Sequence, residues 1–376
     1  MHRTCPLSGV KQTCPFALHM SASDPKRTFA LLPSWRSGPL QCAIPSLGGG
    51  NATTRFHPRI CCFVVTWPLV VRAQPANKIY RLASLTLVGP LPGVYGPTLL
   101  RALGERGYIQ GQNFELRPFG AVGMSPSQLT QFAQNIAANI FDAAIVAGYP
   151  PAAALKGTGV PTVVGSGAGD PVATGLVTSL ARPGGNITGI SDDVAMLTTK
   201  RMGLLKAVKP DLRRVAMLWN KNDLGMSMRY EASADGAKAL GLIVQPLGVG
   251  EPDDFNEAFA AMDREAPDAI LMVSDALTAL NRKRVYEYAT AHRLPAIYES
   301  DNYVRDGGLM SYGVDAVESY TRAASLIDRI FKGAKPADLP FEQPTRYLFV
   351  INLKTAKSID LAIPPTTLAL ADEVIE

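Results

Sequence analysis

From Lys78 onward the chain alternates short apolar runs with amphipathic ones, and it does so in two successive series. In the first, residues 79–88 read as a strand ended by Gly89-Pro90, and 95–106 as a helix with Leu99, Leu100 and Leu103 on one face, closed by Gly107. Strands at 113–117, 142–147 and 160–164 follow, separated by helices at 127–139 and 152–156. Apolar strands joined by helices predict a parallel sheet covered on both faces. The second series begins with a connecting strand at 186–191 and a helix at 199–208 stopped by Pro210. It continues with a strand at 214–219 and a helix at 227–240 stopped by Gly241, then alternates through 242–247, 255–264, 269–273, 278–290 and 295–298. The tail adds a strand at 308–312, an amphipathic helix at 317–332, a proline-rich extended stretch at 336–344, a strand at 347–352 and a helix at 353–359. A chain of 376 residues is longer than one hydrophobic core usually serves. The fold class is therefore α/β, with two Rossmann-like lobes built on parallel sheets, an arrangement consistent with a hinged cleft.

Residues 1–76 read differently. All five cysteines fall before residue 63, so the folded part is expected to need no disulfide and to use no thiolate. Residues 1–55 are rich in Pro, Ser, Gly and Thr without periodicity. An apolar run at 60–71, flanked by Arg55 and Arg59, ends in Val71-Arg72-Ala73-Gln74. A basic flank, a short apolar core and small residues before a cut are what a secretory signal requires. The run is too short for a membrane-spanning helix, which needs about 20 residues. The other reading of the run is a buried strand.

Several segments resemble a known family. Ala181-Arg182-Pro183-Gly184-Gly185-Asn186-Ile187-Thr188-Gly189 looks like a signature of the bacterial ABC-transporter substrate-binding proteins related to tryptophan- and phenylalanine-binding lipoproteins. Gly169-Asp170-Pro171-Val172, Gly307-Gly308-Leu309-Met310-Ser311-Tyr312-Gly313, Val350-Ile351-Asn352-Leu353-Lys354-Thr355-Ala356-Lys357 and Ala371-Asp372-Glu373-Val374-Ile375 match in the same order. The resemblance covers about residues 78–376. It implies a periplasmic binding protein of type I, with two lobes joined by three crossings near Gly189, Gly307 and Leu339. Residues 1–76 would then be a leader, 77–188 plus 307–338 the first lobe, and 189–306 plus 339–376 the second. It also implies an exported, periplasmic, monomeric protein that binds a small molecule, an amino acid or an aromatic compound, and meets an ABC permease in the inner membrane.

In open α/β sheets, ligands sit beyond the carboxyl ends of the strands. In the first lobe that rule selects Tyr95, Gly148, Tyr149, Ser166 and Gly167, with Tyr312 after the returning strand. Backbone N–H groups at such turns suit a carboxylate. In the second lobe it selects Asp192, Asn220, Asn222, Ser274, Asp275, Glu299 and Tyr303. A carboxylate there suits a ligand ammonium, and Tyr149, Tyr303 or Trp219 could stack on a flat side chain. Each has a plainer reading. Asp170 before Pro171 suits a helix cap, Ser274-Asp275 could cap the helix that follows, and Trp219 fits core as well as pocket.

Other classes are disfavoured. A net charge of +5 without a basic, aromatic-interleaved stripe does not suggest a nucleic-acid partner. Past the leader His292 is the one histidine, which excludes zinc sites and Cys-His pairs. No phosphate loop or Gly-x-Ser-x-Gly elbow is present, so no cofactor and no catalysis are expected. The alternatives are a ligand sensor on the same two lobes and an intracellular α/β enzyme.

Overall fold

The computed structural model describes residues 78–89, 91, 95–124, 126–191 and 194–376. The leader reading of residues 1–76 and the expected contact at Asp192 lie outside the described residues.

The first series folds as β1 (Tyr80–Thr86), α1 (Tyr95–Gly104), β2 (Phe114–Gly120), α2 (Pro126–Ala138), β3 (Ala143–Ala147), α3 (Tyr149–Leu155), β4 (Thr162–Ser166) and β5 (Ile187–Gly189). Its strands form one five-stranded parallel sheet in the order β2-β1-β3-β4-β5. The second series folds as α4 (Val194–Val208), β6 (Arg214–Asn220), α5 (Leu224–Ala239), β7 (Ile243–Val249), α6 (Asp254–Arg264), β8 (Ala269–Met272), α7 (Ala276–Ala291), β9 (Ala296–Tyr298), α8 (Asp301–Arg305) and β10 (Met310–Val314). After α9 (Ala316–Phe331) come β11 (Tyr347–Asn352), α10 (Leu353–Ser358), α11 (Pro365–Leu368) and β12 (Glu373–Ile375). The second sheet has seven strands in the order β12-β11-β10-β9-β8-β6-β7, parallel except for the antiparallel pair β10 and β11.

The central strands read as continuous apolar runs because both faces of each sheet are covered there. Side chains alternate between faces along a strand. Ala143 and Ile145 of β3 enter the core made with α1 and α9, while Ala144 and Val146 enter the one made with α2 and α3. The same division places Val215 and Met217 of β6 on one face of the second sheet, and Ala216 and Leu218 on the other. Helix α9 belongs to the first lobe: Tyr320, Leu326 and Ile327 are fully buried there against Leu82 and Leu99. Each such large apolar side chain contributes about 1.5–3 kcal/mol.

Two of the three expected crossing points move. The resemblance implies a return to the first lobe at 307, for residues 307–338, but β10 pairs with β9 (Met310 opposite Ile297) and with β11 (Met310 opposite Ile351), so the chain stays in the second lobe until Val314. Asp315 then caps α9, accepting from the Val317 amide at 2.8 Å. The third crossing falls beyond Leu339, because the proline-rich stretch first runs along β5. The Phe341 amide donates to the Leu180 carbonyl (2.7 Å) and the Glu342 amide to Gly189 (2.8 Å). The first crossing lies just past Gly189, where the Ser191 amide donates to Glu342 (2.8 Å). The crossings therefore run side by side and are cross-bonded. Arg322 of α9 pairs with Glu342 (2.7 Å), the Arg346 amide donates to Glu318 (2.7 Å), and the Asp315 amide donates to the Arg346 carbonyl (3.1 Å).

The 181–189 motif is a stitch beside these crossings. Asn186 donates to the carbonyls of Leu155 (2.9 Å) and Val160 (2.8 Å) and accepts from the Gly157 amide (2.9 Å). It thereby fixes the α3–β4 loop to β5. Asn186→Ala is expected to lower stability by about 1–3 kcal/mol in a urea titration, because three backbone groups lose their partner together.

Candidate functional site

The carboxyl ends of strands from both sheets meet around a cavity of about 510 Å³. The first lobe supplies Thr86, Leu87 and Val88 after β1, Tyr95 at the start of α1, Gly148 after β3, Ser166 and Gly167 after β4, and Ser319 and Tyr320 of α9. Tyr95 stacks flat on Tyr320 (centroids 4.7 Å apart, 4° between planes), and the Ser166 hydroxyl lies 3.3 Å from the Tyr320 phenol. Gly148 (φ 98°) and Gly167 (φ 76°) both occupy the left-handed region, and their loops abut. A Cβ on Gly167 would lie 3.3 Å from the Gly148 backbone. Side chains cannot fill that corner, so the wall there is bare peptide.

The second lobe contributes charge. Glu299, at the end of β9, is 7% exposed and accepts from Arg201 of α4 and Arg229 of α5 at 2.8 Å each, and from the Ser274 amide at 2.9 Å. Both arginines are buried, and Arg201 Nε also donates to the Tyr312 carbonyl (2.7 Å). This triad ties α4, α5, β9 and β10 into one floor. Burial alone would raise the Glu299 carboxyl, but Arg229 and Arg201 outweigh it and hold the group below the usual glutamate range. Asp275 caps α7 through the Thr278 amide (2.8 Å), and its other oxygen accepts from Asn220 (2.5 Å). Asp223, 3% exposed, caps α5 through the Met226 amide (3.2 Å). Burial, then the nearby Asp275, pushes its carboxyl up to about 7. Arg282 and Asp306 pair at 2.6 Å on the wall, about one third exposed.

Of the residues expected from sequence, the cavity gathers Tyr95, Gly148, Ser166, Gly167, Ser274, Asp275, Glu299 and Tyr303. Four others lie off its wall. Asn220 stands behind Asp275 as its hydrogen-bond donor. Asn222 is exposed and donates to the Gly250 carbonyl (3.2 Å). Tyr312 stacks on Tyr347 (6.2 Å) in the second lobe, because β10 belongs there. Tyr149 meets the opposite lobe: a Cβ on Gly225, at the start of α5, would lie 3.1 Å from Tyr149 Cβ and 3.2 Å from the Ala168 carbonyl. A Cβ on Gly169 would likewise lie 3.2 Å from the Gly225 carbonyl, so the lobes touch backbone to backbone along this seam. Glu299 lines the cavity but is already bonded to two arginines. Trp219 stacks on Tyr230 at 3.6 Å, away from the wall, and Asp170 caps its own turn through the Val172 and Ala173 amides.

Sequence reading missed Asp223, Arg201, Arg229 and Tyr320. With the helix taken to begin at 227, Asp223 stood in a loop. The arginines sit on helices, where periodicity alone assigns charge to water. The only signal for them was a charge within an otherwise small or apolar helical face.

A family model described as ABC transporter substrate binding protein matches residues 96–375. The tyrosine-binding protein of Clostridioides difficile (strain R20291) is 24% identical over 263 residues, which cover 70% of this chain and 75% of that protein. Two solved structures share the fold with a TM-score of 0.71 and 24% identity, covering 79% of this chain and 100% of theirs. One is the ABC domain from Streptococcus pneumonia in complex with L-Trp, the other a conserved domain protein from Vibrio cholerae o1 biovar eltor.

Proposed function

This chain belongs to the family of ABC transporter substrate-binding proteins, and on that premise we propose that its cavity holds one amino acid with an aromatic side chain, enclosed when the lobes bend at the three crossings. The observation that carries this reading is the division of the wall. Bare peptide turns with Tyr95 and Tyr320 come from one lobe, carboxylates with Tyr303 from the other, and neither half encloses a solute alone. A ligand carboxylate would meet the turns at Gly148 and Ser166-Gly167, its ammonium the acidic side of the second lobe, and its ring Tyr95 or Tyr303. Relatives named for tyrosine and bound to L-Trp support the choice of ligand. Capture and release are the whole of the proposed chemistry.

The protein is proposed to be exported through the 60–71 signal, to act as a monomer in the periplasm, and to deliver its ligand to an ABC permease in the inner membrane. Among the described residues no helix is long and apolar enough to cross a membrane. The ligand reading is tested by thermal shift with L-tyrosine, L-tryptophan, L-leucine and D-glucose. A true ligand at 100 times its Kd adds about 2.7 kcal/mol of stability. Stabilisation by glucose alone would overturn the amino-acid assignment.

Closure has its own test at the seam. Gly225→Val keeps a helix-compatible residue but places methyl groups against Tyr149 and the Ala168 carbonyl. The ligand must bind the closed state better for closure to follow binding. The variant is therefore expected to bind about 10–100-fold more weakly, mostly through faster release, and to lose the ligand-induced contraction seen by X-ray scattering. An unchanged release rate would mean that the seam does not limit closure.

A further inference from the structure

Two carboxylates of this cavity are treated in opposite ways. Glu299 is neutralised by Arg201 and Arg229. Asp223 is equally buried and also lines the cavity, yet among the described residues no side chain donates a hydrogen bond to it; its donors are the amides at the start of its own helix, Met226 and Gly225. Among the described residues its charged neighbours include Asp275, the cap of α7, which repels it, and Arg229 from α5, which is bonded to Glu299. Tyr149 faces it from the opposite lobe. A carboxylate taken out of water without a cation is costly to keep ionised, and a cation brought by a ligand removes that cost.

We infer that Asp223 is the residue that selects ligands carrying an ammonium group, and that its place on the seam makes lobe closure depend on that ammonium. The inference rests on the amino-acid reading and deepens it. Asp223 Oδ1 lies 3.3 Å from where a Cβ on Gly225 would stand, and Gly225 is the residue that touches Tyr149 and Ala168 of the other lobe. A cation seated at Asp223 therefore sits at the point where the lobes meet. Asp275 shares the field but has both oxygens engaged, by Thr278 and Asn220.

The test is calorimetry on the full chain with L-tyrosine, tyramine (ammonium without carboxylate) and 3-(4-hydroxyphenyl)propionate (carboxylate without ammonium). The L-tryptophan set, with tryptamine and indole-3-propionate, is run beside it. Wild type is expected to bind the amino acid at least about 30-fold tighter than the propionate. Asp223→Asn is expected to lose about 30-fold or more for the amino acid and the amine, and under about 3-fold for the propionate. Asp223→Ser, which keeps a helix-capping side chain, serves as the second variant, with a cooperative melt showing that each is folded. Equal binding of amino acid and propionate by wild type, or unchanged amino-acid binding by both variants, overturns the inference and leaves the amino-acid reading standing. Failure of wild type to bind either amino acid overturns the reading and the inference together.

Discussion

Glu299→Ala is expected to cost about 3–5 kcal/mol of folding stability, the largest effect of any single substitution in the cavity wall. The carboxylate is 7% exposed and takes one hydrogen bond from each of two buried guanidiniums and one from the Ser274 amide. Its removal leaves positive charge in a region from which water is excluded, and an unpaired buried ion is far more costly than a lost contact. Glu299→Gln keeps the shape and some of the hydrogen bonding, so an intermediate loss is expected. Acid gives the same answer by another route. The folded-state pKa lies below the ordinary glutamate value of 4.5, so the triad's contribution is complete above that value and is lost as pH falls below it. The measurement is a urea titration of both variants at neutral pH, with wild type repeated at pH 3.5. A loss under about 1 kcal/mol, typical of exposed pairs, would show that water reaches the triad.

That triad also shows what the sequence could and could not convey. The central strands were legible because they are buried on both faces, which leaves runs such as 143–147 and 269–272 apolar throughout. The strand-end rule then found Gly148, Ser166, Gly167, Ser274 and Asp275 without knowledge of packing, since position at a strand end is a local property. Sheet membership is not local. Residues 310–314 form a short strand after Gly307-Gly308, and only pairing with 297–298 and 347–351 decides which lobe owns it. Glu299 was found, but as a ligand group. Its partners lie 98 and 70 residues away on helices, and nothing near it in sequence announces two arginines. Asp223 was hidden for another reason: with the helix read from 227 it stood in a loop, and nothing local reveals that its carboxylate caps α5 and faces a cavity.

The cost of that second role is measurable without any ligand. Asp223→Asn is expected to stabilise the empty protein above neutral pH while abolishing stabilisation by an amine-bearing ligand. Asn caps a helix as well as Asp, so the local structure is kept. Burial, then Asp275, raises the Asp223 carboxyl from 3.8 to about 7 in the folded protein. Between those values the folded state holds a proton that the unfolded state has lost, so stability falls as pH rises through the window. The fall amounts to about 1.4 kcal/mol per unit, and at most about 4 kcal/mol across it. Asn has no such dependence. The melting temperature of Asp223→Asn minus that of wild type should be near zero at pH 4 and grow to several degrees by pH 8. Addition of L-tyrosine or L-tryptophan should reverse the order at pH 8, because only the ionised aspartate can pair with the ammonium. Affinity for the amine should accordingly rise about tenfold per pH unit from 5 to 7 in wild type and stay flat in the variant. A difference between the two melts that does not change with pH would show that Asp223 stays ionised in the empty cavity throughout this range. Its charge would then be compensated within the protein, and the ligand's ammonium would have nothing left to neutralise.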